Sequence, residues 1–77
     1  MIELRKTAIQ IGRHRRDGRL AYTNDVLVAV FSYDEDYERW SVECMFGPLL
    51  RDTPPDTFDS EKSIEDWLRA RAGLLPS

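Results

Sequence analysis

Cys44 and His14 are the first side chains to consider for chemistry, because each is the only residue of its type in the chain. A cysteine nucleophile needs a neighbouring base that keeps its sulfur as a thiolate. Cys44 continues the alternation of Val42 and Phe46, which predicts that its side chain points into the core. A lone buried cysteine usually packs as a small hydrophobic residue, and His14 lies among arginines near a turn. The sequence therefore predicts no Cys44–His14 dyad and no intramolecular disulfide.

Metal and acid–base sites need closely placed ligands or a carboxyl group in a pocket. One cysteine and one histidine cannot supply the four ligands of a zinc site. Asp34, Asp36 and Glu38 are spaced two apart, as in the first half of a calcium loop, but the glycine and the distal glutamate of that loop are missing. The other acids cluster in segments expected to be exposed. We therefore expect neither an enzyme nor a metal or cofactor site.

The stretch FSYDEDYERW, residues 31–40, holds four acids between aromatic residues. One interpretation is a hairpin turn that is acidic because it is solvated. The other is a contact surface, since acids steer a basic partner and rigid aromatic rings often anchor one protein on another. The predicted protein-binding residues are Tyr33, Asp34, Glu35, Asp36, Tyr37, Glu38 and Trp40.

A second charged cluster precedes the acidic one. Residues 1–24 carry a net charge of +4 and residues 25–77 a net charge of −7, within an overall charge of −3. A basic hairpin around residues 13–19 can follow nucleic-acid phosphates, which gives an alternative function. It can equally coat a turn or neutralise the protein's own acids. The predicted nucleic-acid-binding residues of this alternative are Arg13, Arg15, Arg16 and Arg19. We expect the two clusters to lie at different ends of the molecule.

Length and composition indicate one small folded domain over residues 1–77. The chain is too short for two cores, and 42% hydrophobic residues favour folding over disorder. The N-terminal residues lack the apolar stretch of a signal peptide, and the longest apolar run is too short to span a membrane. We therefore expect a cytoplasmic protein with no membrane contact.

Hydrophobic periodicity predicts an antiparallel meander. Alternation over residues 7–11 predicts a strand, and Asp17-Gly18 is a strong hairpin-turn signal that would lead into a return strand over residues 20–23. Asn24-Asp25 predicts a second turn. The continuous apolar run of residues 26–33 favours a strand in the middle of the sheet, and residues 40–46 alternate as a half-buried strand.

The C-terminal third predicts a linker followed by a helix. Residues 51–57 contain Pro54-Pro55 and favour an extended segment. Asp59 or Ser60 can cap a helix whose apolar stripe is formed by Ile64, Trp67, Leu68 and Ala72. The predicted fold class is α+β, with a three- to four-stranded antiparallel sheet and one C-terminal helix packed on one face.

The segment FDSEKSIEDW, residues 58–67, resembles the point where a sheet gives way to a helix in small phage-encoded anti-CRISPR proteins. This resemblance covers about ten positions. It implies a stoichiometric inhibitor without catalysis that blocks a large nucleic-acid-handling complex.

The predicted function is thus a small non-catalytic module that binds and modulates a larger protein or ribonucleoprotein complex with a basic surface. The alternative is nucleic-acid binding through the basic hairpin. A core of this size supplies only a few kcal/mol, about 3–5, so the sequence leaves open a homodimer.

Overall fold

The computed structural model describes residues 1–75, apart from the side chain of Ala72. Within this range the chain forms four strands and one α-helix, with short 3-10 turns at Gly47–Leu49 and Ala72–Leu74. The strands are β1 (Ile2–Ile11), β2 (His14–Thr23), β3 (Val26–Asp34) and β4 (Arg39–Met45), and the helix is α1 (Glu61–Arg69). All neighbours are antiparallel and the sheet order is β1-β2-β3-β4, so the predicted α+β meander with one C-terminal helix is confirmed.

The first hairpin turns earlier than the sequence pattern predicts. The turn is Gly12-Arg13, and β1 and β2 then pair without interruption from Ile11–His14 to Ile2–Thr23. Gly12 has a φ of 59°, which suits the first central position of a type II′ turn. The predicted turn at Asp17-Gly18 was therefore wrong, because a single glycine beside Ile11 satisfies the hairpin geometry.

Gly18 instead fills a crowded position within β2. It faces Thr7 on β1 and Ser32 on β3. The side chain of Ile9 leans across it, so that a Cβ atom at residue 18 would lie 2.5 Å from Ile9 Cδ1. Glycine is needed here for close packing and not for a turn.

The second hairpin turn is where the sequence predicted it. Asn24 and Asp25 have φ values of 48° and 66°, as expected for the two central residues of a type I′ turn. This turn leads into β3, which pairs with β2 on one side and β4 on the other. The predicted central strand is confirmed.

Cys44 is exposed, and its predicted burial was wrong. Val30 pairs with Cys44 while Phe31 pairs with Val42, so Glu43 is an extra residue at a β-bulge. An extra residue reverses the alternation of side chains beyond it. Cys44 therefore lies on the face of the sheet that α1 does not cover, and Phe46 is exposed as well.

The helix begins where its caps predict. Ser63 N donates to Ser60 Oγ at 3.2 Å, and Ser60 N donates to Ser63 Oγ at 3.1 Å, which forms a reciprocal capping box. Ile64 and Leu68 are fully buried against the sheet, and Trp67 packs at the edge of the core. The helix ends at Arg69, so Ala72 belongs to the following 3-10 turn and its predicted place in the apolar stripe lies outside the described side chains.

The linker is attached to both the sheet and the helix. Phe58 and Trp40 exchange two backbone hydrogen bonds of 2.8 Å. Near the start of the linker, Asp52 Oδ2 accepts a hydrogen bond of 2.6 Å from Arg71 Nε. The Arg71 guanidinium lies 3.9 Å from the centre of the Trp67 ring. These contacts fix the linker over one edge of the sheet and one end of the helix.

Substitution Gly18→Ala tests the packing role of this glycine. We expect a loss of about 1–2 kcal/mol in the free energy of unfolding, since the new methyl group displaces Ile9. Gly73→Ala is the matched control, because no heavy atom lies within 4 Å of the added Cβ and its φ is ordinary. Urea unfolding of both variants measures the difference. A Gly18→Ala protein as stable as Gly73→Ala would contradict the packing account.

Substitution Asp52→Asn tests the linker attachment through pH. The hydrogen bond from Arg71 lowers the pKa of the Asp52 carboxyl below its ordinary value, and the backbone N–H of Thr53 acts in the same direction. A lowered pKa stabilises the fold above the ordinary pKa of an aspartate and ceases to do so as pH falls through the folded value. We therefore expect wild type to be more stable than Asp52→Asn at neutral pH, with the gap shrinking as the pH falls below the ordinary pKa of an aspartate.

Urea midpoints from about pH 7 to about pH 2.5 measure this gap. Asp56→Asn in the same linker is the control, because Asp56 is exposed and its variant should follow wild type throughout. A gap between wild type and Asp52→Asn that stays constant with pH would show that the attachment does not depend on the charge of the carboxylate.

Candidate functional site

The two charged clusters lie at the same end of the sheet. In an antiparallel meander the first and third turns are at one end, and here these are Gly12-Arg13 and residues 35–38. The expectation that they lie at different ends was wrong. β2 and β3 pair only as far as Gly18–Ser32, so the two hairpins separate beyond that point. Between them lies a cleft of about 300 Å³, lined by His14, Arg15, Arg16, Tyr33, Asp34, Glu35 and Asp36.

The basic wall of the cleft belongs to the β1–β2 hairpin. Arg16 extends toward the opposite wall, with its Nη2 3.8 Å from Asp34 Oδ2. Arg13, His14 and Arg15 are exposed. Among the described residues, Arg13 and Arg15 have no acidic side chain within ion-pair distance. The hairpin tip thus keeps two guanidinium groups available to a partner.

The acidic wall is the β3–β4 turn, which we call the acidic turn and which comprises residues 34–38. Asp34 Oδ1 accepts a hydrogen bond of 3.0 Å from the backbone N–H of Asp36, which orders the start of the turn. Glu38 closes it with a φ of 53°, a conformation that few residues other than glycine adopt. Three acids of the turn are exposed, and Tyr37 between them is 76% exposed.

Trp40 is part of the core and does not form an accessible anchor. The residue is only 6% exposed, and the centre of its ring lies 5.0 Å from that of the Tyr33 ring. Its backbone is occupied by the bridge to Phe58. Tyr33 is half-buried and lines the cleft. Of the three aromatic residues predicted to anchor a partner, Tyr37 alone presents most of its ring to solvent.

Arg19 also packs inside the molecule, although it was predicted to be one of the nucleic-acid-binding arginines. Its side chain is 7% exposed and donates to Glu61 Oε1 at 2.5 Å and to Gly18 O at 2.7 Å. The guanidinium lies 4.8 Å from the centre of the Trp40 ring. Arg19 therefore joins β2 to the first turn of α1 and faces away from solvent.

Cys44 and His14 are placed far apart. Cys44 pairs with Val30, which pairs with Leu20, and His14 lies six residues along β2 from Leu20. Six residues of strand span roughly 20 Å, which is too far for a proton transfer between the two side chains. Among the described residues, no three histidine, cysteine or acidic side chains are grouped in a way that could hold a metal ion.

Comparison of the chain with protein-family models, with curated proteins and with solved structures finds no match. The segment that resembles anti-CRISPR proteins forms the Phe58 bridge, the capping box and the first turns of α1. The function implied by that resemblance stays a prediction. In the described part of the chain, no helix has the length and apolar character needed to cross a membrane.

Substitution Arg19→Ala tests whether this arginine acts in folding. We expect it to lower the free energy of unfolding by about 1–3 kcal/mol, because the Glu61 and Gly18 contacts and the packing on Trp40 are lost together. Arg15→Ala, in the same strand but exposed, should change stability by less than about 0.5 kcal/mol. Urea unfolding measures both. Equal stability of the two variants would return Arg19 to the list of candidate contact residues.

Proposed function

We propose that this protein is a small non-catalytic module that binds a larger protein or ribonucleoprotein complex through its acidic turn. The observation that carries the proposal is the exposed Tyr37 ring, surrounded by the exposed acids Glu35, Asp36 and Glu38. Tyrosine is enriched among the residues that dominate binding energy, because a rigid amphipathic ring loses little entropy on burial. The surrounding acids attract a basic surface.

The support beneath the turn favours a preformed contact surface. β3 and β4 flank it, the Tyr33 and Trp40 rings pack together below it, and the Asp34–Asp36 hydrogen bond holds its first residues. A contact residue that is already positioned avoids part of the ordering cost of association. Electrostatic attraction of the acids acts mainly on the association rate and on the choice of partner.

The kind of partner follows from the charges on both walls of the cleft. A basic patch would meet the acidic turn, and acidic groups beside that patch would meet Arg13 and Arg15 across the cleft. Such a two-sign surface fixes the orientation of the partner as well as its identity. An inhibitory, anti-CRISPR-like action on a cytoplasmic nucleic-acid-handling complex rests on the resemblance of residues 58–67 and is the most specific form of this proposal.

Affinity capture from the native host tests the proposal with matched variants. The acidic-turn variant carries Glu35→Lys, Asp36→Lys and Glu38→Lys, and a second variant carries Tyr37→Ala. A third variant, Arg13→Glu with Arg15→Glu, reverses charge on the basic hairpin and tests the contacts expected there. We expect wild type to retain a protein partner after nuclease treatment and both acidic-turn variants to lose it.

The purified partner then allows rates to be measured. We expect the three-lysine variant to associate at least about tenfold more slowly than wild type at low salt, with the difference shrinking as salt rises. Tyr37→Ala should mainly speed dissociation, as expected for an anchor residue. Unchanged kinetics in both variants, with circular dichroism showing that they are folded, would refute binding through the acidic turn.

Nucleic-acid binding is the second candidate, and the unpaired, exposed Arg13 and Arg15 are the observation that favours it. The contact set is then Arg13, His14, Arg15 and Arg16, without the buried Arg19. Against it stand Asp34 and the other acids of the turn, which line the same cleft and repel phosphate. The same capture experiment separates the candidates, because a nuclease-sensitive partner lost only in the Arg13→Glu, Arg15→Glu variant would favour nucleic acid.

A further inference from the structure

The two edge strands of the sheet, β1 and β4, differ in the backbone pairing of their outer edges. The β4 edge is covered at Trp40 by the backbone of Phe58, which satisfies its N–H and C=O groups. The β1 edge pairs only with β2, and among the described residues no other strand or bridge pairs with it. It is ten residues long and has neither a proline nor a register shift. A long, regular, unpaired edge is a template for strand addition.

The hydrogen-bonding groups that β1 leaves free can be identified from its register. Ile11 and His14 flank a two-residue turn, and the closing pair of such a turn exchanges hydrogen bonds. The odd-numbered residues from Glu3 to Ile11 therefore form the backbone hydrogen bonds with β2. The hydrogen bond from Asn24 N to Met1 O, at the far end of the hairpin, agrees with this pattern. Within residues 1–75, the N–H and C=O groups of β1 that find no partner belong to the even-numbered residues, Ile2, Leu4, Lys6, Ala8 and Gln10.

We propose that a second copy of this chain pairs antiparallel with the β1 edge, joining two four-stranded sheets edge to edge in a symmetric dimer. This proposal is independent of the proposed function, because the acidic turn lies between β3 and β4, on the opposite half of the sheet. The partner is a second copy because β1 is complementary to itself.

The self-complementarity selects one register. If a two-fold axis passes through Thr7, nine residues pair, Glu3 to Ile11, and no like charges face each other: Arg5 meets Ile9 and Lys6 meets Ala8. Axes through Arg5 or Lys6 would place like charges opposite each other, which destabilises a sheet. Axes through Leu4 or Ala8 avoid this but pair fewer residues. The register centred on Thr7 also places two threonines side by side, a favourable cross-strand pair.

Disulfide formation tests the register directly. In this dimer Thr7 faces its own copy in a non-hydrogen-bonded pair, with Cα atoms about 4.5 Å apart, which a disulfide can bridge. The two copies of Arg5 lie four residues apart, roughly 13 Å, which a disulfide cannot bridge. We therefore expect Thr7→Cys to form a disulfide-linked dimer under mild oxidation and Arg5→Cys to form no cross-link, both with Cys44→Ser to remove the natural thiol.

Sedimentation across a concentration series tests the edge itself. Wild type should show a monomer–dimer equilibrium. Ala8→Pro removes an outward N–H from each copy while leaving the bonds between β1 and β2, so it should weaken the dimer by about tenfold to a hundredfold. Ala8→Ser keeps the N–H and should match wild type. The three-lysine variant of the acidic turn should dimerise normally, which keeps this test separate from the proposed function.

Each of the following results would overturn the proposal. They are a wild type that stays monomeric at all concentrations, a dimer equally strong in Ala8→Pro and Ala8→Ser, and cross-linking of Arg5→Cys as fast as that of Thr7→Cys. Capture of an extended peptide from another protein on a monomeric chain would also exclude the second copy as occupant. Should Ala8→Pro fail to fold, the comparison of the two cysteine variants decides alone.

Discussion

The packing of Phe58 joins all parts of this fold. Its backbone extends the sheet beyond Trp40, and its ring meets Phe31 of the central strand at 5.7 Å and Trp67 of the helix at 5.9 Å, both edge to face. Such aromatic contacts stabilise by more than the apolar area they bury. In a chain this small, one residue that touches sheet, linker and helix helps to hold the helix on one face of the sheet, and no described element packs on the other face.

This arrangement explains which charged and aromatic residues are left for recognition. Trp40 is occupied because the Phe58 backbone pairs with it and the Arg19 guanidinium lies over its ring, and Arg19 is occupied because the helix brings Glu61 over β2. Burying a guanidinium is costly unless it finds hydrogen-bond partners and its flat face is packed. Arg19 donates to Glu61 and to Gly18 O, and its guanidinium lies over the Trp40 ring. Tyr37 and the acids around it lie beyond the reach of the helix, so the same packing that removes two predicted contact residues leaves these exposed.

The sequence predicts the fold class well and the facing of individual side chains less well. Asn24-Asp25, the apolar run of β3 and the Ser60 cap are local signals, and the structure bears out each one. Cys44 was misplaced because a bulge at Glu43 inserts one residue, and no pattern of period two can show that. The first turn was misplaced because Asp17-Gly18 is a stronger turn signal than Gly12-Arg13. Correct placement would have put Arg19 on the same face as Ala21, inside the molecule.

The location of the candidate site follows from topology more than from residue type. In a meander, alternate turns lie at the same end of the sheet, so a basic first turn and an acidic third turn must be neighbours. The two turns are far apart in sequence, and the opposite net charges of residues 1–24 and 25–77 led to the prediction that they lie at different ends of the molecule. A surface that presents both signs within one cleft distinguishes partners by the pattern of charge and not by its total. If the proposed function holds, the overall charge of −3 is a poor guide to the partner, and we expect the spacing between Arg15 and Glu35 across the cleft to matter more.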